Sequence, residues 1–236
     1  MTRVRKIMIA PVSVINAILV FLYNDWMLAP LLNPHASAAR TLISELSART
    51  QPNHHVFQLL DICAGVLTLC LVPYVWQLTR KVHARTRRGL LTGGFAFVGV
   101  DSIVDALLPT NCAPSMDAHC SYVTSQSMLT TMHMFESTLA GVCVVLIPLL
   151  WWWVMRKSSA WLARMSLSFV GVQLAVGLTV LAVQTLHLPY VGILHRVYES
   201  AISLWMASLV ITAAVPVRVK TPRLTALEPA TQEATD

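Results

Sequence analysis

The sequence predicts an all-α protein, a polytopic bundle of six transmembrane helices, on three observations. It is 56% hydrophobic and only 12% charged, with a mean hydropathy of +0.62, far from the balance of a soluble domain. Six stretches reach the roughly 20 mainly apolar residues that a spanning helix needs. The basic residues gather in short clusters beside those stretches, as membrane-flanking anchors do.

In chain order the spans cover about 7–29, 56–79, 89–108, 127–155, 165–187 and 191–217, so one domain occupies 1–220. Span one follows Arg3, Arg5 and Lys6 and ends near Tyr23 and Trp26, placed as interfacial aromatics. Its apolar run is too long for a signal peptide, so the small residues Ala36-Ser37-Ala38 are read as uncleaved. Span two begins after His54 and His55, carries Asp61 near its start and leaves at Trp76. Span three follows Arg80, Lys81, Arg85, Arg87 and Arg88, and its Gly89-x-x-x-Gly93 is the spacing of a close helix contact. Span four ends in Trp151, Trp152 and Trp153 before Arg156 and Lys157; Trp161 and Arg164 open span five. Residues 221–236 are polar with two prolines and are expected to form a disordered cytoplasmic tail.

Of 17 Lys and Arg residues, only Arg40, Arg49 and Arg196 fall away from those clusters. Positive charge stays on the cytoplasmic side, so both termini are expected there. The net charge of +6 belongs to these anchors and not to a nucleic-acid surface, because no groove-reading motif accompanies it. Membrane lipids are the expected partners. Cys63, Cys70 and Cys143 fall inside spans, whereas Cys112 and Cys120 flank a short outer loop. A disulfide persists on that oxidising side, and a loop of this size makes it worth about 2–3 kcal/mol in the chain-entropy model. The first outer loop, about 30–55, is long enough to suggest function. Ser44-Glu45-Leu46-Ser47 is placed to begin a helical turn there that Pro52 keeps short.

The candidate site consists of Asp61, Asp101, Asp105, His133, Glu136, Arg196 and Glu199. Ionisable groups in hydrocarbon are costly and mark functional positions by default. Asp101 and Asp105 are one helical turn apart and share a face, as do His133 with Glu136 and His195 with Glu199. Two carboxylates that close need a proton, a metal or a basic partner, and Arg196 is the expected partner of Asp101, Asp105 or Glu199. Three functions remain open: a cavity for a lipid or small ligand, a metal-assisted lipid hydrolase, and a buried charge network that only fixes helix packing. No His-Glu-x-x-His, Gly-x-Ser-x-Gly or Gly-x-x-x-x-Gly-Lys occurs, so zincin, serine-hydrolase and nucleotide-binding readings lack support.

A family resemblance rests on Tyr23-Asn24-Asp25-Trp26, Ser44-Glu45-Leu46-Ser47-Ala48 with Gln51-Pro52, Leu60-Asp61 with Gly65, Pro109 with Cys112 and Cys120, His133 with Ser137, and Arg196. Together these residues resemble the bacterial six-span family called domain of unknown function 998, which implies a bacterial plasma-membrane protein and no particular activity. The segment around Ser44 and Pro52 is more distantly similar to the eukaryotic DRAM and Sfk group, linked to lipid homeostasis and autophagy. The reading preferred at this level is lipid or small-ligand handling at a polar cavity facing the outer leaflet.

Overall fold

The computed structural model describes residues 3–82, 84–120, 127–186 and 188–214, and among them every regular element is helical. The tail expected at 221–236 lies outside the described residues. Six long helices dominate: α1 (Arg3–Leu22), α2 (His54–Leu78), α3 (Arg85–Leu107), α4 (Met128–Met155), α5 (Ala160–Thr185) and α6 (Val191–Ala214). Four of them, α2 to α5, are long and apolar enough to cross a membrane. A fifth candidate span is broken, with Ser13–Leu22 and Asp25–Leu32 meeting at 67°. α6 matches the others in length but carries His195, Arg196 and Glu199 in its first half.

The break after α1 replaces the unbroken span expected over 7–29, and side chains near it account for the ending. Asn24 Nδ2 donates to the Val20 carbonyl at 2.7 Å, taking up an acceptor that the helix end leaves open, and also reaches Ser203 Oγ at 3.0 Å. Pro30 then stands in the first turn of the short helix Ala29–Leu32, where its missing N–H costs nothing. Tyr23 does not mark an interface; its hydroxyl lies 3.1 Å from Thr68 Oγ1, inside the bundle.

The helices pack in sequence, α2 on α3, α3 on α4, α4 on α5 and α5 on α6, and α6 returns to α1 and α2. The closest approach expected, at Gly89 and Gly93, is not where the helices meet: a Cβ at either would find open space. The tight crossing is one turn or more further on. A Cβ on Gly65 of α2 would collide with the Gly99 carbonyl and the Ile103 side chain of α3, and one on Gly99 would stand 2.9 Å from the Gly65 carbonyl and 3.0 Å from Thr68 Cβ.

Toward the basic end the centre is apolar and dense. Phe95, Trp151, Trp205, Met206 and Leu209 are nearly or fully buried there, with Trp151 edge-on to Trp205 at 6.4 Å and Phe169 stacked on Trp205 at 5.4 Å. Trp151 is therefore a core residue and not a boundary marker. The other tryptophans of this end meet its arginines: Arg88 lies 4.1 Å from the centre of the Trp76 ring, Arg87 5.1 Å from Trp153 and Arg156 5.7 Å from Trp152.

The opposite end is closed by a hydrogen-bonded cap built from two loops. Ile43–Leu46 forms the short helix expected there. Buried Glu45 accepts from Ser115 Oγ and, at 3.3 Å, from the Leu42 N–H. Asp117 accepts from Thr50 Oγ1 at 2.6 Å, the Ala113 N–H at 2.7 Å and Gln51 Nε2 at 3.0 Å. Partial burial pushes the Asp117 carboxyl upward, but those three donors outweigh it and hold it below the ordinary carboxylate range. The Cys112–Cys120 disulfide staples the second loop, with Cα atoms 6.0 Å apart.

Candidate functional site

Between the apolar core and the cap the helices leave a cavity of about 170 Å³. α2 supplies Asp61, α3 supplies Asp101 and Asp105, α4 supplies Glu136 and α6 supplies Glu199, so five of the seven expected residues line one space. The i, i+4 pair on α3 and the acidic positions of three other helices meet because each faces the bundle axis at a similar height. Asp25, only 2% exposed at the break after α1, adds a sixth carboxylate. Ser44 of the cap helix forms part of the same wall, with Tyr23, Ser102, Ser137, His195 and Tyr198.

The other two expected residues stand outside the lining. His133 is buried behind the wall, with Nδ1 3.1 Å from Asp105 Oδ1. Arg196, expected to meet a carboxylate, instead donates from Nη1 to the carbonyls of Thr41 at 2.8 Å, Ala38 at 2.9 Å and Gly192 at 2.9 Å. Its guanidinium also lies 5.5 Å from the Trp26 ring centre. The neighbouring Gly192 makes this close docking possible, since a Cβ there would stand 2.7 Å from the Ala38 and Thr41 carbonyls. Arg196 is a tether for the first loop, and the carboxylates are left without it.

The cavity lining contains no Lys or Arg, and beside it His133 Nδ1 lies close to the Asp105 carboxylate. Two polar atoms of the lining, Asp25 Oδ2 and His195 Nδ1, are buried without a hydrogen-bond partner. Buried polar atoms normally have partners, so these two are exceptions within the lining. Asp101 and Glu136 also stand in the wall of a second, largely apolar groove of about 540 Å³ between α3 and α4, formed by Val100, Val104, Phe135 and Leu139 among others. Phe135 is 72% exposed on the outer surface of the bundle. The polar cavity and the outward groove thus share a wall.

Sequence reasoning places Asp25 at the end of span one near the other acids without counting it in the site, and it missed Ser44 and Tyr23 as lining residues, although the Tyr-Asn-Asp-Trp and Ser-Glu-Leu-Ser motifs hold all three. Near the cap, Cys112, Asp117 and Cys120 have metal-ligand proximity, but the disulfide removes both thiolates from that role. The model of a family described as a protein of unknown function, DUF998, matches residues 14–212. No curated protein and no solved structure matches the chain.

Proposed function

The chain belongs to the DUF998 family, whose description assigns no activity, and from that premise we propose that it binds a lipid by its polar headgroup in the acid-lined cavity. In this reading the chain spans the bacterial plasma membrane six times, counting the broken first span and the polar α6, with both termini in the cytoplasm and the capped end at the outer leaflet. The ligand site comprises Asp61, Asp101, Asp105, Glu136 and Glu199, with His133 supporting Asp105 and Arg196 holding the roof.

The observation that carries this reading is that the carboxylates border open volume instead of closing on Arg196. A network serving only to fix packing would pair its charges internally. The volume is below the roughly 300–1,000 Å³ of pockets for drug-sized ligands, so it suits a headgroup whose chains stay outside. The apolar groove beside Asp101 and Glu136 offers those chains a path. The acidic lining selects a headgroup with an ammonium or hydroxyl end over a bare anion.

Phosphatidylethanolamine retained by the detergent-purified protein, counted by native mass spectrometry against phosphatidylglycerol, tests this. Asp61→Asn and Glu199→Gln are expected to lower retention by about ten-fold, the effect of losing about 1.4 kcal/mol. Equal retention by both variants, with unchanged thermal melts, would sink the reading.

Orientation has its own test. In a background lacking Cys63, Cys70 and Cys143, a cysteine at exposed His35 should react with an impermeant maleimide on intact cells, and one at exposed Thr86 only after permeabilisation. Thr41 is unsuited to that experiment because it is fully buried under the cap. Labelling of Thr86→Cys on intact cells would invert the topology.

A further inference from the structure

We propose that Asp105, His133 and Glu136 form a binding site for one transition-metal dication, with Zn²⁺ the best fit, in the wall of the cavity. This goes beyond headgroup binding and does not depend on it.

The three side chains come from two rigid helices. His133 and Glu136 are three residues apart on α4 and share a face, and Asp105 projects from the last turns of α3. Their potential ligand atoms all lie within 4.8 Å of one another. Tetrahedral coordination with bonds of 2.0–2.1 Å puts ligand atoms about 3.3 Å apart. The 3.1 Å between His133 Nδ1 and Asp105 Oδ1 is close to that separation.

The independent observation is the state of His133. It is 5% exposed, and its Nδ1 has no hydrogen-bond partner, because the contact with Asp105 is near without having hydrogen-bond geometry. A buried, unpartnered imidazole nitrogen beside two carboxylates is what a metal ligand looks like before the metal binds. Charge agrees: two carboxylates neutralise a dication, and the dication in turn relieves their mutual repulsion in a place with no Lys or Arg to do so.

Ligand type selects the metal. Imidazole disfavours Mg²⁺ and Ca²⁺, which take oxygen ligands, and favours Zn²⁺ and its neighbours. Three protein ligands leave a fourth position. Asp105 and Glu136 both line the cavity, so that position opens onto it. Asp101, one turn from Asp105 on the same helix face, stands close enough along the chain to orient the carboxylate that binds.

The test uses full-length protein purified in detergent, stripped with a chelator and dialysed. It is titrated with Co²⁺ followed by visible absorption, and its Zn²⁺ content after reloading is measured by elemental mass spectrometry. About one Zn²⁺ per chain and the intense visible bands of four-coordinate Co²⁺ are expected. His133→Ala and Asp105→Asn should weaken binding by at least about ten-fold, since even outer-shell changes cost 10–100-fold, while Asp117→Asn in the cap leaves it unchanged. If His133→Ala does not fold, as judged by size exclusion, Glu136→Gln gives the same readout. Substoichiometric Zn²⁺, or Co²⁺ bands that His133→Ala, Asp105→Asn and Glu136→Gln all leave unchanged, would overturn the site. Lipid retention by the stripped protein is read separately, so loss of one result leaves the other standing.

Discussion

Arg196→Ala is expected to destabilise the fold by about 3 kcal/mol or more, read as a lower thermal midpoint in detergent. Hydrogen bonds to charged groups contribute about 1.5–3 kcal/mol each, and Arg196 makes three, to the carbonyls of Ala38, Thr41 and Gly192. They do not add fully, because one guanidinium nitrogen serves all three. The loss should appear first in the cap: a cysteine at Thr41, buried in the folded protein, becomes reactive in the Arg196→Ala background. Arg196→Lys rescues little, since an ammonium replaces the planar guanidinium that lies 5.5 Å from the Trp26 ring centre. The sharper arm is a double-mutant cycle. Asp101→Asn and Arg196→Ala share no contact, so their effects should add to within about 0.5 kcal/mol. A coupling above about 1 kcal/mol would mean that Arg196 does serve the carboxylates and that the tether description fails.

Gly65→Val should cost about 3 kcal/mol, at the upper end of what overpacking costs, and should impair the cavity as well as the fold. The colliding partner is a backbone carbonyl, that of Gly99, with the Ile103 side chain beside it, so no rotamer change relieves the clash. α2 and α3 must separate, and that carries Asp61 away from Asp101 and Asp105, which the same two helices hold on one cavity wall. Gly99→Ala should act in the same direction with a smaller effect. Gly93→Ala is the control: its Cβ meets open space, and the better helix propensity of Ala makes the change neutral or stabilising by up to about 1 kcal/mol. Thermal melts of the three variants decide the matter. Equal losses at Gly93 and Gly65 would show that the helices cross elsewhere.

Much of the architecture was legible because it rests on local signals. Apolar runs of spanning length gave the long helices, and Pro52 with Ser44-Glu45 marked a short cap helix, found at Ile43–Leu46. The pairing of Cys112 with Cys120 followed from a short separation that leaves little choice of partner. That five carboxylates share one cavity wall was legible for a related reason: an acid in an apolar helix has few places to go except the bundle interior.

What failed in each case was a question about partners. The spacing Gly89-x-x-x-Gly93 permits a close crossing, but which glycine meets another helix depends on how α2 and α3 are rotated, and Gly65 and Gly99 occupy the crossing. Trp151 and Trp153 lie in one run, yet a helix turns each residue by about 100°, so one faces the core and the other the surface. Charge alone made Arg196 the natural partner for the carboxylates. Carbonyls of a loop more than 150 residues earlier in the chain took it instead, because a loop end folded over α6 presents oxygens nearer than any acid. The sequence by itself determined the helical class, the placement of the acids on inward faces and the disulfide, since each depends on residues close in the chain. Only the tertiary structure decided that the acids border a hollow beside an apolar groove and that Arg196 holds the roof, because relative helix rotation and loop docking are set by packing between segments far apart in sequence.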